Sequence, residues 1–231
     1  MMSIIAVALF GSRARGDQTQ GSDTDLLMVT EDGETPLHSS LGSVSLSYYS
    51  LPNLEVRAQR GDLFLCHVLT EGRALYDPDH SFDALRAKFR LRTNYAEEIE
   101  QAAALGWLLS RFSQRFSKNP LAAKRAAWVV RTIVIARSAE AGRPEFAARR
   151  LAALAPIPET MRVIKQKSAT GLKRSTALDL RRFLEWTKAP DPTPDAAAPE
   201  DYRDMLEATS NTIGIHFLNS FRTPPSEEGY G

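Results

Sequence analysis

Apolar residues follow two rhythms along this chain. Ile4 to Phe10 is a short unbroken apolar run, and Thr24 to Thr30, apolar over Leu26 to Val29, reads as a second strand. Gly42 to Ser50 alternates, with Val44, Leu46 and Tyr48 on one face, and predicts a third strand after a polar loop over Glu31 to Ser40. Pro52 to Arg60 and Asp62 to Glu71 predict short helices, with Gly61-Asp62 as the break and cap between them. From Asp83 onward the rhythm is helical. Ile99, Ala103, Gly106, Leu109, Phe112 and Phe116 form one stripe, and Ala123, Ala126, Val130, Ile133 and Val134 form another. Asn119-Pro120 separates the two, and Pro120 suits a first helical turn. Further helices are predicted over Pro144 to Leu154, Pro158 to Lys167, Leu172 to Lys188 and Pro199 to Phe221. The expected organisation is an α/β (α+β) head with a small mixed sheet over residues 1–82, an all-α helical bundle over 83–221, and a tail over 222–231. Ala189 to Asp195, with three prolines, reads as a linker.

Composition narrows the setting. The 231 residues are 43% hydrophobic, enough for a proper core, and no apolar stretch approaches the roughly 20 residues that span a bilayer. With one cysteine and no signal-like N-terminus, the expected compartment is the cytoplasm. Cys66 lies among apolar neighbours and reads as a buried structural thiol; His67 beside it reads as a satisfied buried imidazole. The net charge of +1 excludes a polycation that coats nucleic acid as a whole. Basic residues nevertheless cluster in the helical half, at Arg86 to Arg92, Lys124 to Arg137, Arg143 to Arg150 and Lys165 to Arg182. Some of them are expected to line a groove for triphosphate or a nucleic-acid backbone.

The chemistry sits at the junction of the first two strands. Gly11-Ser12 ends the first apolar run, and a glycine there predicts a tight turn opening a helix. Backbone N–H groups at such a turn converge on an anion, with Ser12 adding a hydroxyl and Arg13 and Arg15 adding charge. Asp23 and Asp25 stand two residues apart at the second strand, so both carboxylates are expected on one face. Two hard oxygen ligands beside a phosphate-binding turn make a Mg²⁺ site, with Mn²⁺ able to substitute, and imply nucleotidyl transfer.

Leu9-Phe10-Gly11-Ser12 followed ten residues on by Asp23-Thr24-Asp25 on an apolar strand resembles the signature of the DNA polymerase β nucleotidyltransferase superfamily. The resemblance extends to Glu71 to Asp77, similar to the end of the domain in minimal members. It implies that Asp23 and Asp25 hold the metal, that Gly11, Ser12 and Arg13 bind a nucleoside triphosphate, and that Lys124 contacts the triphosphate from the second long helix. Many members carry a third carboxylate on the strand over Gly42 to Ser50, where this chain has Ser45 and Ser47. Either two aspartates suffice, or Glu55 or Asp62 completes the set, or the fold persists without catalysis.

The composition of Arg222 to Gly231 predicts a flexible end with one aromatic residue, Tyr230, whose phenolic oxygen could serve as an attacking hydroxyl. With its helical second half and this tail, the chain is similar to the nucleotidyltransferase component of the Hailong antiphage system. That resemblance implies template-independent synthesis of single-stranded DNA from dNTPs, primed by Tyr230, with a membrane effector as partner. The competing expectations are an antitoxin-type enzyme adding AMP to a toxin, an enzyme modifying a small molecule such as an aminoglycoside, and an inactive module binding nucleotide or single-stranded DNA.

Overall fold

The computed structural model describes residues 3–19, 21–32 and 37–220. They form two compact units, one drawn from Met1–Asn94 and Arg137–Ala147, the other from Tyr95–Ala136 and Ala148–Gly231.

The first unit is built on a five-stranded mixed sheet. Its strands are β1 (Ile4–Phe10), β2 (Thr24–Thr30), β3 (Leu37–Leu41), β4 (Val44–Ser50) and β5 (Arg73–Tyr76), in spatial order β3-β4-β2-β1-β5. β1 and β2 are antiparallel and joined through the single-turn helix α1 (Ser12–Arg15), while β2 and β4 run parallel. Alternation along β1 and β2 buries Ala6, Ala8, Phe10, Leu27 and Val29. They pack with Leu54 of α2 (Leu51–Gln59), with Leu65 and Val68 of α3 (Leu63–Glu71), and with Phe82 and Leu85 of α4 (Ser81–Lys88). Ser50 and Asp62 cap α2 and α3, Asp62 accepting the Leu65 N–H at 2.8 Å. Asp77 does the same for α4, taking the Ser81 and Phe82 N–H groups at 2.8 and 3.0 Å.

Three features depart from the pattern-based expectation, the first being β5, an exposed edge strand where none was expected. The stretch expected as a polar loop contains β3, whose five residues are all exposed and pair antiparallel with β4 at the sheet edge. An edge strand needs one ladder partner only, and polar side chains suit its outer side. On β4, Ser47 and Tyr49 are buried while Val44, Leu46 and Tyr48 are half-buried. The inward hydroxyls are satisfied by His38, whose Nδ1 lies 3.0 Å from Ser47 Oγ and whose Nε2 lies 3.3 Å from the Tyr49 hydroxyl. Burial and the nearby Arg57 cation hold the His38 pKa below the ordinary histidine value.

The second unit is helical, comprising α5 (Ala96–Arg111), most of α6 (Pro120–Glu140), α7 (Ala148–Leu154), α8 (Pro158–Lys165), α9 (Arg174–Thr187), α10 (Arg203–Ala208) and α11 (Thr212–Asn219). Gly106 lets α5 cross close to its neighbours, since a Cβ there would lie 2.9 Å from Val129 Cγ1 of α6 and 3.0 Å from Leu184 Cδ1 of α9. Among the described residues no helix is long and apolar enough to cross a membrane.

The stretch expected as one helix over Pro199 to Phe221 is broken. A 3₁₀ turn at Pro199–Tyr202 leads into α10, Ser210 takes a positive φ of 51°, and α11 starts afresh. Asn211, 1% exposed, drives the restart: its Oδ1 accepts the Gly214 N–H at 2.9 Å, and its Nδ2 donates to the Gln101 carbonyl at 2.8 Å. Asn211→Ala is therefore expected to lower stability by about 2 kcal/mol, through a lost cap and an orphaned carbonyl. The denaturant midpoint should fall with the slope unchanged.

Candidate active site

The junction of β1 and β2 is fixed by strand register. Phe10, the last residue of β1, pairs with Asp25 of β2, so the chain that leaves β1 at Gly11 passes directly beside the Asp25 side chain. Gly11 is buried with φ 75°, and a Cβ built on it would lie 2.8 Å from Asp25 Oδ2. Only a residue without a side chain fits between the turn and the carboxylate. α1 follows for a single turn, closed by the left-handed Gly16, whose N–H bonds the Ser12 carbonyl. N–H groups of such a first turn have no acceptor within the helix and face outward.

Two arginines brace this turn. Arg13 donates from Nη2 to the Ser22 carbonyl at 2.9 Å. Ser22 is itself buried and accepts the Thr19 N–H through Oγ at 2.9 Å. These bonds close the loop that delivers Asp23, which stands exposed just ahead of β2. On the other side Arg15 pairs with Asp17 and with Glu71 at the end of α3. Burial opposes the Arg15 charge, but the hydrogen bonds to Asp17 and Glu71 outweigh it and its pKa lies above the ordinary arginine value. His67 Nε2 lies 2.9 Å from Glu71 Oε2 without the alignment of a hydrogen bond; its ring stacks on Phe146 at 4.5 Å and meets Phe10 edge-on at 5.6 Å. This anchor was not read from the sequence, although the His67 and Glu71 spacing of four on one helix was its visible signal.

The serine expected in place of a third acid stands where it matters: Ser45 is in register with Asp25, and Ser47 with Leu27. The two acids considered as substitutes are otherwise held. Glu55 pairs with Lys88 at 2.6 Å, and Asp62 caps α3 while pairing with Arg57 at 2.9 Å. Among the described residues no group of three or more His, Cys, Asp or Glu side chains is placed to hold a metal. The hard oxygens of Asp23 and Asp25 suit a divalent cation that takes its remaining ligands from phosphate and water. Gly11, Ser12, Arg13, Asp23 and Asp25 thus belong to one unit. Lys124 is exposed on α6 in the second unit, and Tyr230 lies outside the described residues. Cys66 is buried, and burial pushes its thiol up to about 11, well away from a nucleophile's range.

Residues 1–81 match the family model described as Polymerase beta, Nucleotidyltransferase. This match supports a nucleotidyltransferase-type domain over the stretch that holds the sheet and the Gly11 turn. Among solved structures, the chain is similar to a nucleotidyltransferase-like protein from Exiguobacterium sibiricum 255-15, at 16% identity and a TM-score of 0.33 over 95% of this chain and 86% of that one. Comparison with curated proteins gives no match.

Two outcomes follow from the geometry. Gly11→Ala is expected to displace the Asp25 carboxylate and to strain the positive-φ turn, lowering stability by about 1–3 kcal/mol in thermal unfolding. Cys66 should resist a thiol reagent at pH 8 in the native protein and react fully once the chain is unfolded, which absorbance of the released chromophore would report.

Proposed function

We propose that the chain transfers a nucleotide from a nucleoside triphosphate to a hydroxyl acceptor, with Asp23 and Asp25 as the metal-binding carboxylates and the Gly11-Ser12 turn as the phosphate cradle. The observation that carries this reading is the contact of Asp25 Oδ2 with the side-chain space of Gly11, which brings a carboxylate and a turn of outward N–H groups to one point. The two aspartates would hold Mg²⁺, which would supply charge neutralisation on the triphosphate and Lewis acidity. The turn N–H groups and the Ser12 hydroxyl donate to phosphate oxygens and orient the α-phosphorus. Arg13 keeps the Asp23 loop closed through Ser22. The acceptor oxygen forms a bond to the α-phosphorus as the bond to the bridging oxygen breaks. Pyrophosphate leaves, and the hydroxyl proton passes to a carboxylate or to water.

In the finer form of this proposal the donors are dNTPs and the acceptor is Tyr230. The product is then a single-stranded DNA oligomer grown without template in the bacterial cytoplasm, for antiphage defence with a membrane effector as partner. The likeness of the tail and layout to the Hailong component supports this form. A second reading, a non-catalytic module for nucleotide or single-stranded DNA, is favoured by Ser45, which stands opposite Asp25 without offering a carboxylate.

Incubation with labelled dNTPs and Mg²⁺ separates the readings. The wild type should incorporate label and Asp25→Asn should lose it by about 100-fold or more; equal incorporation by both would remove Asp25 from the chemistry, and nucleotide bound by the wild type without incorporation would leave only the binding module. Mass spectrometry of the intact protein should then find added nucleotide mass on wild type and none on Tyr230→Phe. Mass retained on that variant assigns the acceptor elsewhere.

A further inference from the structure

The second unit carries a cleft of about 360 Å³ where the end of α5 and the following 3₁₀ turn (Ser113–Phe116) meet the first turns of α9. Its wall holds four arginines, Arg111, Arg115, Arg174 and Arg181, and no acidic residue. The four guanidiniums are gathered from separate segments, wholly within one unit. Its arginines are not equally occupied. Arg111 is locked by Asp191 and by the carbonyls of Pro194 and Ala196, so it forms a fixed wall. Arg115 stands 3.7 Å from Glu200, and Arg181 pairs with Glu185 one helical turn along. Both pairs are more than half exposed, and such pairs exchange easily for a better anion. Arg174 makes no ion pair among the described residues. Apolar surface adjoins the guanidiniums: Leu178 is 49% exposed, and Phe112 is half-buried beside it in the wall.

We propose that this cleft binds single-stranded nucleic acid, with the arginines along the phosphates and Phe112 and Leu178 against the bases. Guanidiniums contributed by separate segments, two of them well exposed, suit successive phosphates of a strand better than the clustered charge of one triphosphate. Aromatic and aliphatic surface between them is sequence-tolerant, because every base offers a flat apolar face. The proposal goes beyond the reading of the head and needs no turnover there.

The test is fluorescence anisotropy of a labelled oligothymidylate of twelve nucleotides with the full chain, in EDTA and without nucleotide. The variant Arg115→Gln, Arg174→Gln, Arg181→Gln is expected to bind about tenfold or more weakly. The slope of log affinity against log salt should fall by about 2, at ~0.7 per phosphate contact on a single strand. Exposed basic residues elsewhere in the unit provide the control: Arg149→Gln, Lys165→Gln, Lys167→Gln should change affinity by less than about twofold. Arg174→Gln alone, the mildest change, should reproduce the direction with a slope change below 1. Equal losses from both triple variants would overturn the assignment, as would displacement of the strand by inorganic triphosphate at the same phosphate concentration. With EDTA present and no nucleotide, the assay reads the cleft without turnover at the head, which keeps a failure of the cleft distinct from a failure of the head.

Discussion

The antiparallel pairing of β1 with β2, in one register from Ala6 to Phe10, is the constraint on which the candidate site depends. It sets Phe10 opposite Asp25, so that the first residue after the strand meets a carboxylate. Because side chains alternate along a strand, a slip of one residue would turn Asp25 to the opposite face and pull Leu27 and Val29 out of the core with it. Core packing and site geometry are therefore one requirement. Gly11 completes it, since its positive φ and missing Cβ let the backbone turn within contact of Asp25 Oδ2.

Around that point, charge is arranged first to hold the backbone. Arg13 fastens the loop ahead of Asp23, and Arg15 joins α1 to the end of α3 through Glu71, whose side chain is 10% exposed. A pair at that depth is costly to break, because a lone carboxylate would remain desolvated. The His67 ring beside it rests between Phe10 and Phe146, so the apolar core and the ionic anchor share one wall. The turn is thus stiff before any ligand arrives, which lowers the ordering cost of binding one.

The second unit shows composition and placement parting company. Ala189 to Asp195 has the prolines of a tether, yet Trp107 donates to the Ala189 carbonyl at 3.1 Å and Asp191 takes both Arg111 and the Tyr202 hydroxyl. Burial, with the hydrogen bond and charge of Asp191, raises the Tyr202 pKa. Proline content describes which backbone angles are allowed; it does not say what the segment lies against. The same holds for the arginines of the cleft. Arg174 and Arg181 stand out in the sequence as part of a basic run, whereas Arg111 and Arg115 join them only through the packing of α5 against α9.

The sequence by itself determined the local elements: β1, β2 and β4, the capped helices α2 and α3, the helical character from Asp83 on, and a glycine turn followed by paired aspartates. Each is written in neighbouring residues, by periodicity, capping or spacing, and so survives without knowledge of the fold. It missed β3 and β5, because edge strands exposed on every residue bury no apolar face, and the break at Ser210-Asn211, because the Gln101 carbonyl that Asn211 bonds is distant in sequence. Tertiary structure alone decided that Glu55 and Asp62 are held by Lys88 and Arg57, that Ser45 stands beside Asp25, and that Asp25 meets Gly11. Those are pairings between segments, set by register and by which charges find each other, and a linear pattern carries no record of them.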